Sequence, residues 1–355
     1  MSQIKSADRE GGEGISRSKW AAPGDAAMKT APLMLFALKA SAELGAAVAV
    51  GLRQPLAVHE ERKFEDGEHK ARPLDAVAGA DVYVVQSTHG EPQQSANDKL
   101  CRLLFFIGAL KDAGAARVTA VTPYLCYARK DRRTKPNDPV TTRYIAGMFE
   151  SVGTDCVVAL EVHNPTAFEN AFRCRTVALT GTPLFVDYAK KNLASDRLAV
   201  ISPDAGGMKR AELLREALEA ALGRPIGKGL AEKHRSGGVV SGDLFAGDVA
   251  GMTALIVDDL ISTGGTLLRT ARSARAAGAT RVLAMVTHGL FMQGSAELIA
   301  DPALDQIVVT DTVPPFRLDR PAQNKKLVML PAAPLLAEAI QRLHDERSLT
   351  DLLVF

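Results

Sequence analysis

Cysteine is scarce in this chain: Cys101, Cys126, Cys156 and Cys174 are the four among 355 residues. None stands in a CxxC pair or at zinc-ligand spacing, which argues against a disulfide scaffold or a structural zinc site. Reduced, mostly buried thiols in a cytoplasmic protein are expected. An excess of one charge is missing as well. A net charge of +2 with 24% charged residues gives no field for recruiting nucleic acid or a membrane surface. Long uninterrupted apolar runs are also absent. Ala31–Gly51 comes nearest, but Lys39 and Glu43 break it, so a strand followed by an amphipathic helix fits better than a bilayer span. The single tryptophan, Trp20, falls in residues 1–29, a Gly-, Ser- and charge-rich stretch expected to be a disordered leader.

What is present is a repeating strand–helix pattern, long enough for two domains. Thr253–Ala279 shows it best. Thr253–Val257 is a short apolar run expected to be a buried strand, with Asp258 and Asp259 at its carboxyl end. Ser262, Thr263, Gly264, Gly265 and Thr266 follow, and an Ala-, Leu- and Arg-rich helix begins near Leu267, closed by Gly278. Ligands of parallel α/β sheets sit at the carboxyl ends of strands. A helix start presents free N–H groups to a phosphate, glycines allow close approach, and hydroxyls add donors. Two carboxylates accept hydrogen bonds only, which suits vicinal sugar hydroxyls or a metal ion. An Asp-rich turn capping an ordinary helix is the plainer reading, and the hydroxyl-Gly-Gly-Thr loop weighs against it.

Similar units occur along the chain. Leu33–Phe36, Asp81–Gln86, Arg117–Thr122, Cys156–Leu160 and Leu198–Ile201 read as strands, and Ala40–Val48, Leu100–Ala113 and Thr142–Ser151 as helices. The segment Ala113–Val121 has a near copy at Ala277–Met285, about one domain length later, which favours two tandem α/β domains of one topology. In that alignment the loop after Gln86 stands where the second half carries its acidic pair. Charged and polar segments follow several strands. Arg62–Glu68 reads as a surface hairpin turn. Tyr127–Arg133 is rich in cations and well placed to meet polyphosphate. Glu161-Val162-His163 closes a strand. In Ser202–Arg210, Asp204 heads a glycine turn, and Lys209-Arg210 at the following helix start opposes the helix dipole unless an anion is bound. Ala231–Gly238 reads as a mobile basic segment between strands, and Pro331–Leu353 contains a closing amphipathic helix.

The acidic-pair loop resembles the ribose-5-phosphate loop of type I phosphoribosyltransferases and of ribose-phosphate pyrophosphokinases (PRPP synthetases). Five motifs stand in the order found in the second family: Phe64–Glu68, Tyr127–Arg132, Ser202–Arg210, Lys233 with Arg235, and Val257–Thr266. The likeness spans roughly Ala31–Phe355. It implies two tandem type I phosphoribosyltransferase-like domains, each a mainly parallel sheet flanked by helices. The expected divisions are an ATP-side domain over 30–178, a ribose-5-phosphate-side domain over 179–336, and a tail over 337–355 returning to the first domain. The implied reaction transfers the β,γ-pyrophosphoryl group of ATP to the anomeric hydroxyl of ribose 5-phosphate, with Mg²⁺ as cofactor.

By the same resemblance, Asp204, Asp258, Asp259 and Ser262–Thr266 bind ribose 5-phosphate. Phe64, Asp66, Glu68, Arg129, Asp131 and His163 bind ATP, the first three from a neighbouring subunit of a homo-oligomer. His163 and Asp204 organise Mg²⁺, and Lys233 and Arg235 are catalytic. The sequence departs from the commoner bacterial pattern at Ser262, where aspartate is frequent and archaeal-type members carry serine. Lys130 replaces a usual glutamine, Glu161-Val162 replaces Asp-Leu, and the loop His89–Ala96 is longer. A catalytically silent regulatory homologue and a base-transferring phosphoribosyltransferase are the competing expectations.

Overall fold

Five short apolar runs in the first half become the strands of one parallel sheet. In spatial order they are β1 (Leu33–Ala37), β4 (Asp81–Val85), β5 (Arg117–Val121), β6 (Cys156–Leu160) and β7 (Arg175–Leu179). Every residue of β4 and β6 is buried, as a sheet covered on both faces requires. Helices α2 (Ala96–Asp112) and α3 (Thr141–Ser151) cover one face. The other is covered by α1 (Ala42–Leu52) and a helix from the far end of the chain, α9 (Ala333–His344). The computed structural model describes residues 31–236, 239–319 and 326–353, with the backbone alone for 232–236 and 239–244. The leader expected over 1–29 lies outside the described residues.

The second sheet has seven strands in the order β10 (Val239–Ala246), β9 (Gly227–Ser236), β8 (Leu198–Ser202), β11 (Thr253–Ile261), β12 (Arg281–Gly289), β13 (Gln306–Thr310) and β14 (Leu327–Leu330). Only β10 runs antiparallel to its neighbour. Helices α5 (Thr182–Asn192) and α6 (Met208–Leu222) pack on one face, α7 (Gly265–Ala276) and α8 (Ser295–Ala300) on the other.

The Ala113/Ala277 similarity extends to topology. Strand, helix, hairpin, strand, helix, strand describes β1 to β5, and the same order describes β8 to β12. In the first half the hairpin, β2 (His59–Lys63) with β3 (His69–Pro73), forms a sheet of its own. In the second half the hairpin β9–β10 joins the main sheet through β8.

Two local expectations need correction. The strand starting at Thr253 does not stop at Val257. Its pairing with β12 continues to Ile261 opposite Gly289, so Asp258 and Asp259 lie within the strand. The stretch Ala231–Ser236 is strand and not a loop, because β10 supplies it with an antiparallel partner.

The C-terminal helix is part of the first core. Leu336 is fully buried there, and the end of α9 is pinned where Asp81 accepts hydrogen bonds from Arg117 Nε (2.7 Å), His344 Nδ1 (2.8 Å) and the Tyr83 hydroxyl (3.0 Å). Leu336→Ala is expected to cost about 2–5 kcal/mol of stability, read as a lower midpoint in urea unfolding. An unchanged midpoint would mean α9 contributes little to that core.

Candidate active site

The carboxyl ends of the two sheets face a shared cleft. Strand β6 ends in Glu161-Val162-His163, β8 runs into Ser202–Arg210, and β11 carries Asp258 and Asp259. Side chains from all three line one cavity of about 690 Å³, together with Asp131 and Asn164. The first sheet reaches the second directly: His163 Nδ1 donates to Asp259 Oδ2 at 2.8 Å. His288 of β12 donates from Nε2 to the Leu160 carbonyl and accepts at Nδ1 from Thr312, both at 2.8 Å. A carbonyl can only accept, which fixes that tautomer. Burial holds His288 below its ordinary pKa, so the ring is a neutral joint between the lobes.

The acidic pair is electrically uneven. Burial and the neighbouring Asp259 carboxylate push Asp258 up to about 8. Burial also favours neutral Asp259, but the His163 hydrogen bond and the Arg210 guanidinium outweigh it and hold that carboxyl below its ordinary value. The Asp259 hydrogen bond in turn raises His163, with burial opposing it. The site thus contains a carboxylate kept ionised by cations beside one that readily takes a proton.

Asp204 begins the glycine turn and accepts the Gly207 N–H at Oδ1 (3.0 Å). Arg210, expected to meet an external anion, instead donates from Nε to Glu161 (2.8 Å) and approaches Asp258 (3.6 Å) and Asp259 (3.9 Å). Its anions are the protein's own carboxylates. Asp131 accepts from Asn164 Nδ2 at 2.7 Å, while Asn164 Oδ1 caps helix α4 (Pro165–Ala171). Arg129 lines a small adjoining recess with His163, Asp259 and His288.

The loop Ser262–Thr266 leads directly from β11 into α7, with Thr263 and Gly265 exposed. It stands at the same end of the sheet but does not line the large cavity. Gly264 has φ +85°, and a Cβ there would lie 2.6 Å from Leu298 Cδ2 and 3.0 Å from its Cβ. Gly264→Ala is therefore expected to cost about 1–3 kcal/mol and to weaken binding of the phosphate expected at this loop. Urea unfolding and phosphate titration would check both effects, and a variant as stable as wild type would contradict the strain.

Phe64, Asp66 and Glu68 are elsewhere. They occupy the exposed turn of the β2–β3 hairpin, where Asp66 accepts the Glu68 N–H at 3.0 Å and the Arg62 guanidinium lies 5.0 Å over the Phe64 ring. None of the three lines the chain's own cleft. Lys233 and Arg235 are placed on β9 by their backbone, and their side chains lie outside the described residues. The last rung between β8 and β9 is Ser202–Leu230, so β9 continues six residues beyond the carboxyl end of β8. Among the described residues no three His, Cys, Asp or Glu side chains form a ready-made metal cage.

The anion that Arg210 requires by its place at a helix start is Glu161 with the acidic pair, a pairing that the sequence does not display. A cation in the first turn of a helix was the available signal, because it opposes the dipole and demands an anion.

This is the architecture of two tandem phosphoribosyltransferase-like domains with their ligand ends meeting. The model of the N-terminal domain of ribose phosphate pyrophosphokinase matches residues 33–153, and that of the phosphoribosyl synthetase-associated domain matches 243–354. A ribose-phosphate pyrophosphokinase from Hyphomonas neptunium is 35% identical over 90% of this chain and 99% of its own. One from Caldanaerobacter subterraneus is 34% identical over 91% and 98%. The crystal structure of phosphoribosylpyrophosphate synthetase from Mycobacterium smegmatis superposes with a TM-score of 0.79 at 30% identity, covering 89% of this chain and 99% of that one. The chain belongs to the ribose-phosphate pyrophosphokinase family, an enzyme family. Near-full-length matches to pyrophosphokinases favour the catalytic reading over a silent regulatory homologue or a base-transferring phosphoribosyltransferase.

Proposed function

We propose that this chain is a ribose-phosphate diphosphokinase that moves the β,γ-pyrophosphoryl group of ATP to the 1-hydroxyl of ribose 5-phosphate, giving PRPP and AMP. One observation carries the reading: His163 from the first sheet and Asp204, Asp258 and Asp259 from the second line a single cavity. In this reading residues 30–178 are the ATP side, 179–336 the sugar-phosphate side, and 337–355 the returning tail. Asp258 and Asp259 accept the ribose hydroxyls. Ser262–Thr266 and the start of α7 hold the 5-phosphate. Arg129 and Asp131 meet the nucleotide beside His163.

Asp204 and His163 fit Mg²⁺, which needs few protein ligands when phosphate oxygens and water supply the rest. Bound there, the ion would neutralise phosphate charge and hold the transferred group in line. The chain's own residues do the remaining work. The acidic pair orients the ribose, His163 steadies Asp259, and Lys233 and Arg235 bring cations to the transferring phosphoryl group as the β9–β10 hairpin covers it. Covering also excludes water, the competing acceptor. Because Phe64, Asp66 and Glu68 lie outside their own cleft, a neighbouring copy is their natural user, which makes the enzyme a homo-oligomer with shared sites. The composition suits the cytoplasm.

Incubation with ATP, Mg²⁺ and ribose 5-phosphate is expected to yield AMP and PRPP in equal amounts. AMP no higher than in a sugar-free control would reject the reading.

A further inference from the structure

Glu161 is held in an expensive conformation. It follows the last residue of β6 with φ +49°, a left-handed geometry that costs a non-glycine residue energy, and it is only 7% exposed. Its N–H donates to the Leu179 carbonyl at 2.7 Å. Its carboxylate is fully engaged: Oε2 accepts from the Gly181 N–H (2.9 Å) and the Thr180 hydroxyl (3.3 Å), and Oε1 from Arg210 Nε (2.8 Å). Behind it, the Thr180 N–H donates to the Leu352 carbonyl at 3.1 Å, so the C-terminal turn buttresses the same corner.

Arg210 belongs to the other lobe, in the first turn of α6, with 15% of its side chain exposed. A guanidinium is a rigid fork, so fixing Nε on Glu161 determines where the remaining nitrogens point. They point at the acidic pair: Nη1 is 3.6 Å from Asp258 Oδ1 and 3.9 Å from Asp259 Oδ1. Two adjacent carboxylates repel, and a fixed cation between them and Glu161 offsets that repulsion. The helix dipole disfavours a cation at this position, so helix stability does not account for it.

We propose that Glu161 and Arg210 are positioning residues: their ion pair carries the geometry of the first sheet across the cleft and sets the spacing and orientation of Asp258 and Asp259 for the ribose hydroxyls. This rests on the reading of that pair as the sugar-binding carboxylates. Neither residue is assigned contact with the reacting atoms. The pair would make sugar affinity depend on how the two lobes are joined.

The test is calorimetric binding of ribose 5-phosphate to the nucleotide-free protein, paired with thermal melting and separate KM values for the two substrates. Glu161→Gln keeps the shape and one acceptor oxygen but removes the charge that pairs with Arg210. It is expected to weaken ribose 5-phosphate binding roughly ten- to hundred-fold, the usual effect of losing a residue that orients a ligand-contacting group, while KM for ATP is unchanged. Arg210→Met is expected to weaken it at least as much. The double variant should be no worse than Arg210→Met alone, because the two act as one unit. Arg210→Lys, which keeps the charge without the fork, should recover only part of the affinity, and it carries the test if Arg210→Met does not fold. Variants that melt lower but bind the sugar phosphate as wild type does would overturn the proposal and leave a structural strut. Wild-type protein that does not bind ribose 5-phosphate would overturn the underlying reading, and this inference with it.

Discussion

Lys233→Ala is expected to lower turnover on the order of 10³-fold, the scale set by removing a cation that stabilises a transferring phosphoryl group, while ribose 5-phosphate binds as tightly as before. The reason lies in the hairpin. Strand β9 leaves β8 after the Ser202–Leu230 rung and continues to Ser236. At about 3.3 Å per residue, Lys233 stands about 10 Å beyond that rung. The rung is also where the Ser202–Arg210 segment departs toward the cavity. Under the proposed function a lysine there meets the nucleotide phosphates in the transition state and not the sugar, so the loss is expected in kcat. Single-turnover rates with calorimetric sugar binding would separate the two. A rate near wild type would show that the hairpin lysine is not part of the chemistry.

Asp258→Ala is expected to weaken ribose 5-phosphate binding roughly ten- to hundred-fold, since hydrogen bonds to a charged acceptor contribute about 1.5–3 kcal/mol. It should also remove a pH dependence. In the free protein burial and Asp259 push Asp258 up to about 8. Hydroxyl donors and cations favour the ionised form, so sugar binding competes with that proton. Wild-type affinity measured with Mg²⁺ should therefore rise as pH increases toward 8 and level off above it, and the variant should lack that step. An unchanged affinity in Asp258→Ala, or a wild-type profile flat between pH 7 and 9, would count against the pair's role.

The parts legible in the sequence were those set by local chemistry. Apolar runs such as Cys156–Leu160 read as buried strands and form them, and the glycine turn after the acidic pair leads into a helix start as its residues suggest. What stayed hidden depends on partners distant in the chain. Asp258 and Asp259 argue locally for a strand end, yet pairing with β12 carries the strand through them. Lys233 reads as loop until β10 provides its neighbour. Glu161 and Arg210 belong to different lobes, and nothing adjacent to either names the other. Lys99 is the sharpest case. It stands just before the helix expected over Leu100–Ala113 and inside the observed one, and it is fully buried, 3.2 Å from Glu91 and 3.1 Å from His89, because the loop after β4 folds over it.

A crystal structure of the protein with ribose 5-phosphate and a Mg²⁺-bound, non-hydrolysable ATP analogue would show directly whether both substrates meet between the sheets. Both ligands are expected between the carboxyl ends of the two sheets, with ribose hydroxyls on Asp258 and Asp259, the 5-phosphate at Ser262–Thr266, and the triphosphate running past His163 toward Arg129. Ligands bound elsewhere, with this cleft empty at saturating concentrations, would contradict it.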